Sequence, residues 1–272
     1  MDTIGFIGAG NMAEALIKGV ISANLCKPRN ILVSDIRTDR LELLTRQYRV
    51  QAVANSAALA GQVDILVLSV KPQNMADVLM TIESAVRHST LIISIAAGVR
   101  VDEIAAALGD IPIIRVMPNT PALIGEGASA LFANSRARAV MDKAMRIFSS
   151  VGKTVIVDHE DLIDVVTAVS GSGPAYFFLL MEEMIRAARD MGLPDGIARI
   201  LVLQTAKGAS MLAMEGDRHG ESPSELRRKV TSPGGTTEAA LKVFAARNFS
   251  QLMTDALIAA RNRSKELSGG ST

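Results

Sequence analysis

The sequence holds few of the residues that most often carry chemistry by themselves. Its single cysteine, Cys26, excludes an internal disulfide and suits a reducing compartment, and its ordinary reading is a small buried apolar residue. It has three histidines, His88, His159 and His219, and none adjoins a glycine-rich stretch. Charge of either sign is not in excess: 29 Lys and Arg against 28 Asp and Glu leave a net charge of +1. With no long-range field to gather a polyanion, nucleic acid and acidic membrane surfaces are excluded as main partners. No metal site is assigned. No secretory signal precedes the fold, because a core strand already starts at Thr3, so the expected location is the cytoplasm. The longest apolar tract, Leu162 to Met181, contains Asp164 and is interrupted by Gly171-Ser172-Gly173-Pro174; it reads as a break between two soluble helices, not a membrane span.

What is present is a chain of 272 residues, 49% hydrophobic and 21% charged, enough for one large domain or two ordinary ones. Near its start, Ile4 to Leu16 runs from a short apolar strand through Gly8 and Gly10 into an alanine-rich helix. Gly8, Gly10 and Ala13 fill the three positions of the dinucleotide fingerprint G-x-G-x-x-G/A. The first glycine permits a sharp turn and the second leaves room for a pyrophosphate. Ala13 lets the helix sit close to the strand, with the helix's free N–H groups facing the anion. A second strand, Ile31 to Asp35, ends in an acid 25 residues after Gly10, near where such folds hold the adenosine ribose. An acid there favours NAD, while Ser34, Arg37 and Arg40 in the same turn suit the 2′-phosphate of NADP. For Arg40 a solvated helix start is the better reading, and the cofactor choice stays open on these residues.

The alternation continues with helix Thr38 to Tyr48, strand Gln51 to Ala54, helix Asn55 to Ala60 and the unbroken apolar strand Asp64 to Val70. Strands follow at Leu91 to Ile95, Ile113 to Met117, Ala128 to Phe132 and Thr154 to Val157, with a helix near Ala137 to Ser150. This pattern predicts an α/β fold with a doubly wound, mainly parallel sheet, a Rossmann-like dinucleotide-binding domain over residues 1–158. Ligands of such sheets bind beyond the carboxyl ends of the strands, which puts Val70, Lys71, Pro72, Ala96, Ala97 and Gly98 near the cofactor and the rigid loop Pro118 to Pro121 at the same edge. Past Asp158 only helices are read: Leu162 to Val169, Pro174 to Met191, Pro194 to Glu215, Ser224 to Val230, Thr236 to Arg247 and Phe249 to Leu267, with a frayed tail from Ser268 to Thr272. Residues 159–272 are therefore expected to form a second, all-helical domain. Helix Pro174 to Met191 is apolar around too much of its circumference for a one-sided surface helix, so the same helix of another chain is expected to cover it.

Between the last helices, Lys229 to Leu241 brings a second run of small residues into a helix. Gly234, Gly235 and Thr236 can offer successive N–H groups to a carboxylate there; an ordinary helix cap by Thr236 or Thr237 explains the same residues equally well. Val230 to Thr237, together with Leu162 to Tyr176, closely resembles the signatures of pyrroline-5-carboxylate reductases. Gly5 to Met12, Val70 to Pro72, Ala96 to Gly98 and Asn119 to Pro121 match the same family in order over nearly the whole chain. The resemblance implies reduction of Δ1-pyrroline-5-carboxylate to L-proline with NADPH or NADH, the last step of proline biosynthesis. It implies a helical C-terminal domain that interlocks two subunits, a dimer or a ring of dimers, with the active site at their interface. By resemblance, the Thr237 hydroxyl bonds the substrate nitrogen and backbone groups of Gly235, Thr236 and Thr237, beside Gly234, hold the carboxylate. The cofactor set becomes Gly8, Gly10, Asn11, Met12, Ser34, Asp35, Arg37, Asn55, Val70, Lys71, Pro72, Ala96, Ala97 and Asn119. Ser170 to Pro174 shapes the pocket floor or the subunit contact, and Glu221 stands where relatives place an acid, a solvated turn being the other reading. The chemistry agrees: a protonated imine is already electrophilic, so the enzyme mainly needs positioning, not the histidine that protonates an alkoxide. Two rivals are a β-hydroxyacid dehydrogenase, which needs a lysine that Gly173 to Met184 lacks, and a sensor that binds the dinucleotide without chemistry.

Overall fold

A computed structural model describes residues 2–269. Among them the strands are β1 (Ile4–Ile7), β2 (Ile31–Ser34), β3 (Gln51–Ala52), β4 (Ile65–Leu68), β5 (Leu91–Ser94), β6 (Ile113–Met117), β7 (Gly127–Ala133) and β8 (Gly152–Ile156). They form one sheet in the order β3-β2-β1-β4-β5-β6-β7-β8, parallel throughout except between β6 and β7. The helices of this half are α1 (Asn11–Ser22), α2 (Thr38–Tyr48), α3 (Ser56–Ala60), α4 (Met75–Ile82), α5 (Val101–Leu108), α6 (Met141–Ser149) and α7 (Leu162–Val166). The expected doubly wound sheet is present, and α4 and α5 are additions to the sequence reading.

Because successive side chains of a strand point to opposite faces, an unbroken apolar run feeds two cores at once. Ile4 and Phe6 of β1, Ile65 and Val67 of β4 and Leu91 and Ile93 of β5 join Leu16, Ile17 and Phe148 on one face. Ile7, Leu66, Leu68 and Ile92 join Leu59, Leu79, Ile82 and Ile104 on the other. Gly5 belongs to that second face, where a Cβ would collide with Leu59 Cδ2.

The remaining helices are α8 (Gly173–Asp190), α9 (Asp195–Arg218), α10 (Pro223–Lys229), α11 (Thr236–Ala246) and α12 (Phe249–Leu267). The chain separates into two compact units, one holding residues up to Pro174 together with those from Ile258 onward, the other Ala175 to Leu257. The first unit is thus discontinuous in sequence, and by compactness the division lies beyond the expected 158/159 boundary. Its closing segment is fastened by a buried ionic cluster. Arg115, in the middle of β6 and only 1% exposed, donates to Glu160 (2.9 Å) and lies 3.9 Å from Asp164, whose carboxylate accepts the Ser264 hydroxyl of α12 (2.7 Å). Arg100 reaches Glu160 and Asp161 from outside.

Two expectations are corrected here. The Gly171–Pro174 stretch does not separate one helix from the next: α7 widens into a π-turn over Thr167–Gly171, with Ser172 N–H donating to Thr167 O (2.8 Å), and then enters α8. Gly171 lies against β6, since a Cβ there would meet Met117 Cε at 2.5 Å, and Pro174 falls in the first turn of α8, where no N–H is needed. The frayed tail fails at Ser268, which is buried and donates to Ser264 O (2.8 Å); Gly270 to Thr272 lie outside the described residues.

In the second unit many large apolar side chains are uncovered, among them Phe177, Phe178, Leu201, Met211 and Val243, with Ile200 at 69% exposed. By length and composition alone, Leu162–Asp190 and Asp195–Arg218 are apolar enough to cross a membrane.

Candidate active site

Strands β1, β2, β4, β5 and β6 are parallel: at the strand ends Ile7 pairs with Ser34 and Leu68, and Leu68 with Ser94, while Ser94 pairs with Arg115 and β6 runs on to Met117. The loops that follow them therefore leave the sheet at one edge, which brings Gly8, Gly10, Asp35, Val70, Lys71, Ala96, Ala97 and Asn119 to the same side.

At the centre of that edge lies the glycine turn. Gly8 adopts φ +96°, and a Cβ would stand 2.6 Å from the Ser69 carbonyl oxygen, so the first glycine allows the ends of β1 and β4 to close on each other. The turn's polar groups are nearly all satisfied by the protein. Gly8 N–H donates to Ser34 O (2.9 Å), and the Ser69 hydroxyl donates to Gly8 O (2.7 Å) and Ile7 O (3.0 Å). Ala9 N–H donates to Asp35 Oδ2 (2.5 Å), Ala9 O accepts from Arg40 Nε (2.8 Å), and Gly10 O accepts from Glu14 N–H (3.0 Å). Gly10 begins α1 without a side-chain cap, and a Cβ on it would meet nothing within 4 Å. Left without partners among the described residues are the N–H groups of Gly10, Asn11, Met12 and Ala13, converging at the positive end of α1. A loop whose other groups are all engaged and whose free donors point one way is made for an anion, and a dinucleotide's pyrophosphate fits it.

Asp35, half-buried, accepts Ala9 N–H with one oxygen and Arg37 N–H with the other (2.8 Å). Ser34 is buried and paired in the sheet. Arg37 is open to solvent and rests against Asp39. Arg40 corrects the sequence reading: its side chain is 16% exposed and is tied to Ala9 O and Glu14 Oε2 (2.7 Å). Tyr48 donates to Glu14 Oε1 (3.1 Å), and burial, then Glu14, pushes its phenol pKa up, so it remains a donor.

The outlying candidates divide by what their side chains already do. Lys71 is exposed in extended backbone, followed by Pro72, which opens a 3-10 turn. Asn55 is exposed and caps α3, its carbonyl accepting Ala58 N–H (2.7 Å). Asn119 is buried, donates to Ser170 O (3.0 Å) in the π-turn and accepts Ala128 N–H (2.8 Å). Ala96 is buried and Ala97 half-buried, whereas Gly98, φ +76°, stands where a Cβ would meet Leu267 Cβ at 2.8 Å. That last glycine makes room for α12.

In the second unit, the loop before α11 also leaves backbone donors unpartnered among the described residues, displaced from the expected ones. Gly235 N–H closes a turn on Ser232 O (3.0 Å), and Gly234, at φ +71°, donates to Glu238 Oε2 (2.6 Å). This bond first, and Lys242 second, hold the Glu238 carboxyl below its usual range. The free N–H groups are those of Thr236, Thr237 and Glu238, and the Thr237 hydroxyl has no partner among the described residues. Glu221 is ion-paired with Lys229.

Sequence reading named Arg40 without its partners, and it missed Ser69 and the Arg115 cluster. Only the last left a signal, a charged residue inside an otherwise apolar strand.

A family model described as pyrroline-5-carboxylate reductase dimerisation matches residues 160–267, and one described as NADP oxidoreductase, coenzyme F420-dependent, matches residues 3–98. The pyrroline-5-carboxylate reductase of Pseudomonas aeruginosa is 45% identical over 97% of this chain and 96% of its own. The solved structure of a pyrroline-5-carboxylate reductase from Coxiella burnetii is 39% identical, with a TM-score of 0.91 over 100% of this chain and 99% of that one. That of Plasmodium falciparum pyrroline carboxylate reductase with NADP bound is 31% identical, TM-score 0.87, over 98% of both chains.

Proposed function

The chain belongs to the pyrroline-5-carboxylate reductase family, and from that premise we propose how its residues divide the reduction of Δ1-pyrroline-5-carboxylate to L-proline. The cofactor is NADPH, with NADH as the alternative donor, and it supplies a hydride to the imine carbon when bound. The unpartnered N–H groups of Gly10, Asn11 and Met12 hold its pyrophosphate, Asp35 lies on the adenosine side, and exposed Arg37 is placed to exchange Asp39 for a 2′-phosphate. Val70, Lys71, Pro72, Ala96 and Ala97 line the path of the nicotinamide half. Asn55 and Asn119 serve the same site by fixing the loops that carry it.

The N–H groups of Thr236 and Thr237, at the positive end of α11, hold the substrate carboxylate without an arginine. The Thr237 hydroxyl bonds the ring nitrogen. As hydride reaches the carbon of the protonated imine, the C=N electron pair moves to nitrogen and the product leaves as the secondary amine. No side-chain acid has to protonate oxygen, which is consistent with histidines such as the exposed His219 standing outside the glycine-rich loops.

We assign residues 159–272 as one working segment for dimerisation and substrate binding. The reductase dimerisation match and the uncovered apolar side chains of α8 and α9 support an oligomer. In the finer reading the helical segments of two subunits interlock, as a dimer or a ring of dimers, and one subunit's Thr236–Thr237 loop serves its partner's nicotinamide. The two long apolar helices then face protein, not lipid, and the enzyme works in the cytoplasm.

The observation that carries the reading is the pair of vacant backbone donor sets, one at the start of α1 and one at the start of α11. NADPH oxidation that requires pyrroline-5-carboxylate, followed spectrophotometrically, tests it. Binding of NADPH without turnover would instead mark a sensor.

A further inference from the structure

The Ala9–Gly10 peptide is held from one side only. Its carbonyl accepts from Arg40 Nε at 2.8 Å, and its N–H, belonging to Gly10, has no partner among the described residues. The neighbouring Gly8–Ala9 peptide is fixed on both sides, by the Ser69 hydroxyl on its carbonyl and by Asp35 on its N–H. Arg40 is in turn fixed: Nη2 meets Glu14 Oε2 at 2.7 Å, and the other Glu14 oxygen is held by Tyr48 at 3.1 Å. Removing Arg40 leaves the first donor of the set without the bond that holds its peptide from the carbonyl side.

We propose that Arg40 is a positioning residue for the dinucleotide, acting through the Ala9–Gly10 peptide to aim and strengthen the Gly10 N–H that meets the pyrophosphate. A cationic donor on a carbonyl polarises the whole peptide group, so the N–H at its far end becomes the better donor to an anion. Because Glu14 already neutralises the guanidinium, the contribution is orientation and polarisation, not bare charge. Arg37, three residues earlier, does the opposite: it is 63% exposed, holds no part of the glycine turn, and pairs with an equally exposed aspartate. The two arginines therefore carry different fingerprints. Arg40 acts on what NAD and NADP share, and Arg37 on what distinguishes them.

This rests on the glycine turn being the dinucleotide site, and calorimetric titration of the full-length oligomer separates the two claims. Dissociation constants for NADP+, NAD+ and ADP-ribose are measured for the unaltered protein and for R40M, R40K and R37A. Arg40→Met is expected to weaken all three by a common factor of roughly tenfold, with Arg40→Lys recovering some of the loss. The KM values of NADPH and NADH rise in step while that of pyrroline-5-carboxylate stays put. Arg37→Ala weakens NADP+ alone. A loss confined to NADP+ in R40M would make Arg40 a phosphate ligand and overturn the proposal, as would affinities equal to those of the unaltered protein. If R40M does not fold, Glu14→Gln, which keeps the shape of the clamp, is expected to weaken NADP+ and NAD+ equally by a few-fold, and no change there overturns it too. Failure of the unaltered protein to bind any of the three would instead refute the dinucleotide site itself.

Discussion

Thr237 is the second residue of α11, half-buried, with a hydroxyl that bonds nothing in its own chain among the described residues. Its replacement by alanine removes one polar group and almost no packing. Thr237→Ala is expected to lower kcat/KM by about 1–3 kcal/mol, the range for one positioned hydrogen bond, with the melting temperature unchanged. Steady-state kinetics beside a thermal scan checks both halves of that statement, and unaltered kinetics would remove Thr237 from the mechanism. Arg37→Ala is expected to raise the KM for NADPH more than that for NADH, and equal effects would reject its role on the 2′-phosphate. Arg37 was singled out locally, as an arginine just after a strand-end acid, and Thr237 by the family resemblance of its glycine turn. The bonds that Arg40, Asn119 and Ser69 make were not legible. Their partners Ala9, Ser170 and Gly8 lie 31, 51 and 61 residues away, and no periodicity or short motif encodes which distant carbonyl a side chain will meet.

Elements follow the same rule of distance. The central strands were readable because parallel strands buried on both faces must be continuous apolar runs, as Ile65–Leu68 and Leu91–Ser94 are. The π-turn was not, since Gly-Ser-Gly-Pro ordinarily ends helices, and only Met117 and Asn119 behind it explain why the chain passes through. The cluster around Arg115 ties β6, α7 and α12 together. Asp164→Ala leaves a buried guanidinium short of a partner and frees the Ser264 hydroxyl, so a loss of about 3–5 kcal/mol is expected in urea unfolding. Asp64, at the start of β4, accepts Thr3 N–H (2.9 Å) and pairs with Arg87 (3.1 Å), and the first of these chiefly holds its carboxyl below the usual range. A lowered folded-state value means stabilisation that is complete above about pH 4 and fades as pH falls through that lowered value. Asp64→Asn should therefore lose less melting temperature than the unaltered protein between about pH 5 and pH 3, by a modest margin because the pair is half exposed.

At the scale of the molecule, the second unit does not look like a finished surface. Phe178 on α8 and Ile200 on α9 are largely uncovered, as are many of their apolar neighbours. Phe178→Glu combined with Ile200→Glu is expected to shift sedimentation to a smaller species and abolish pyrroline-5-carboxylate reduction; an unchanged sedimentation coefficient would place the subunit contact elsewhere. The excess of apolar positions on helix Pro174 to Met191 signalled that cover was needed. It carried no information on what arrangement supplies that cover, because shape complementarity is not written in the spacing along one helix. The first unit has a different debt, to a segment far along its own chain: Ser264 and Leu267 pack against residues translated long before them. Translation must run past Ser264 and Leu267 before this unit can close, so nascent chains stalled short of Ile258 will expose a half-built domain to chaperones.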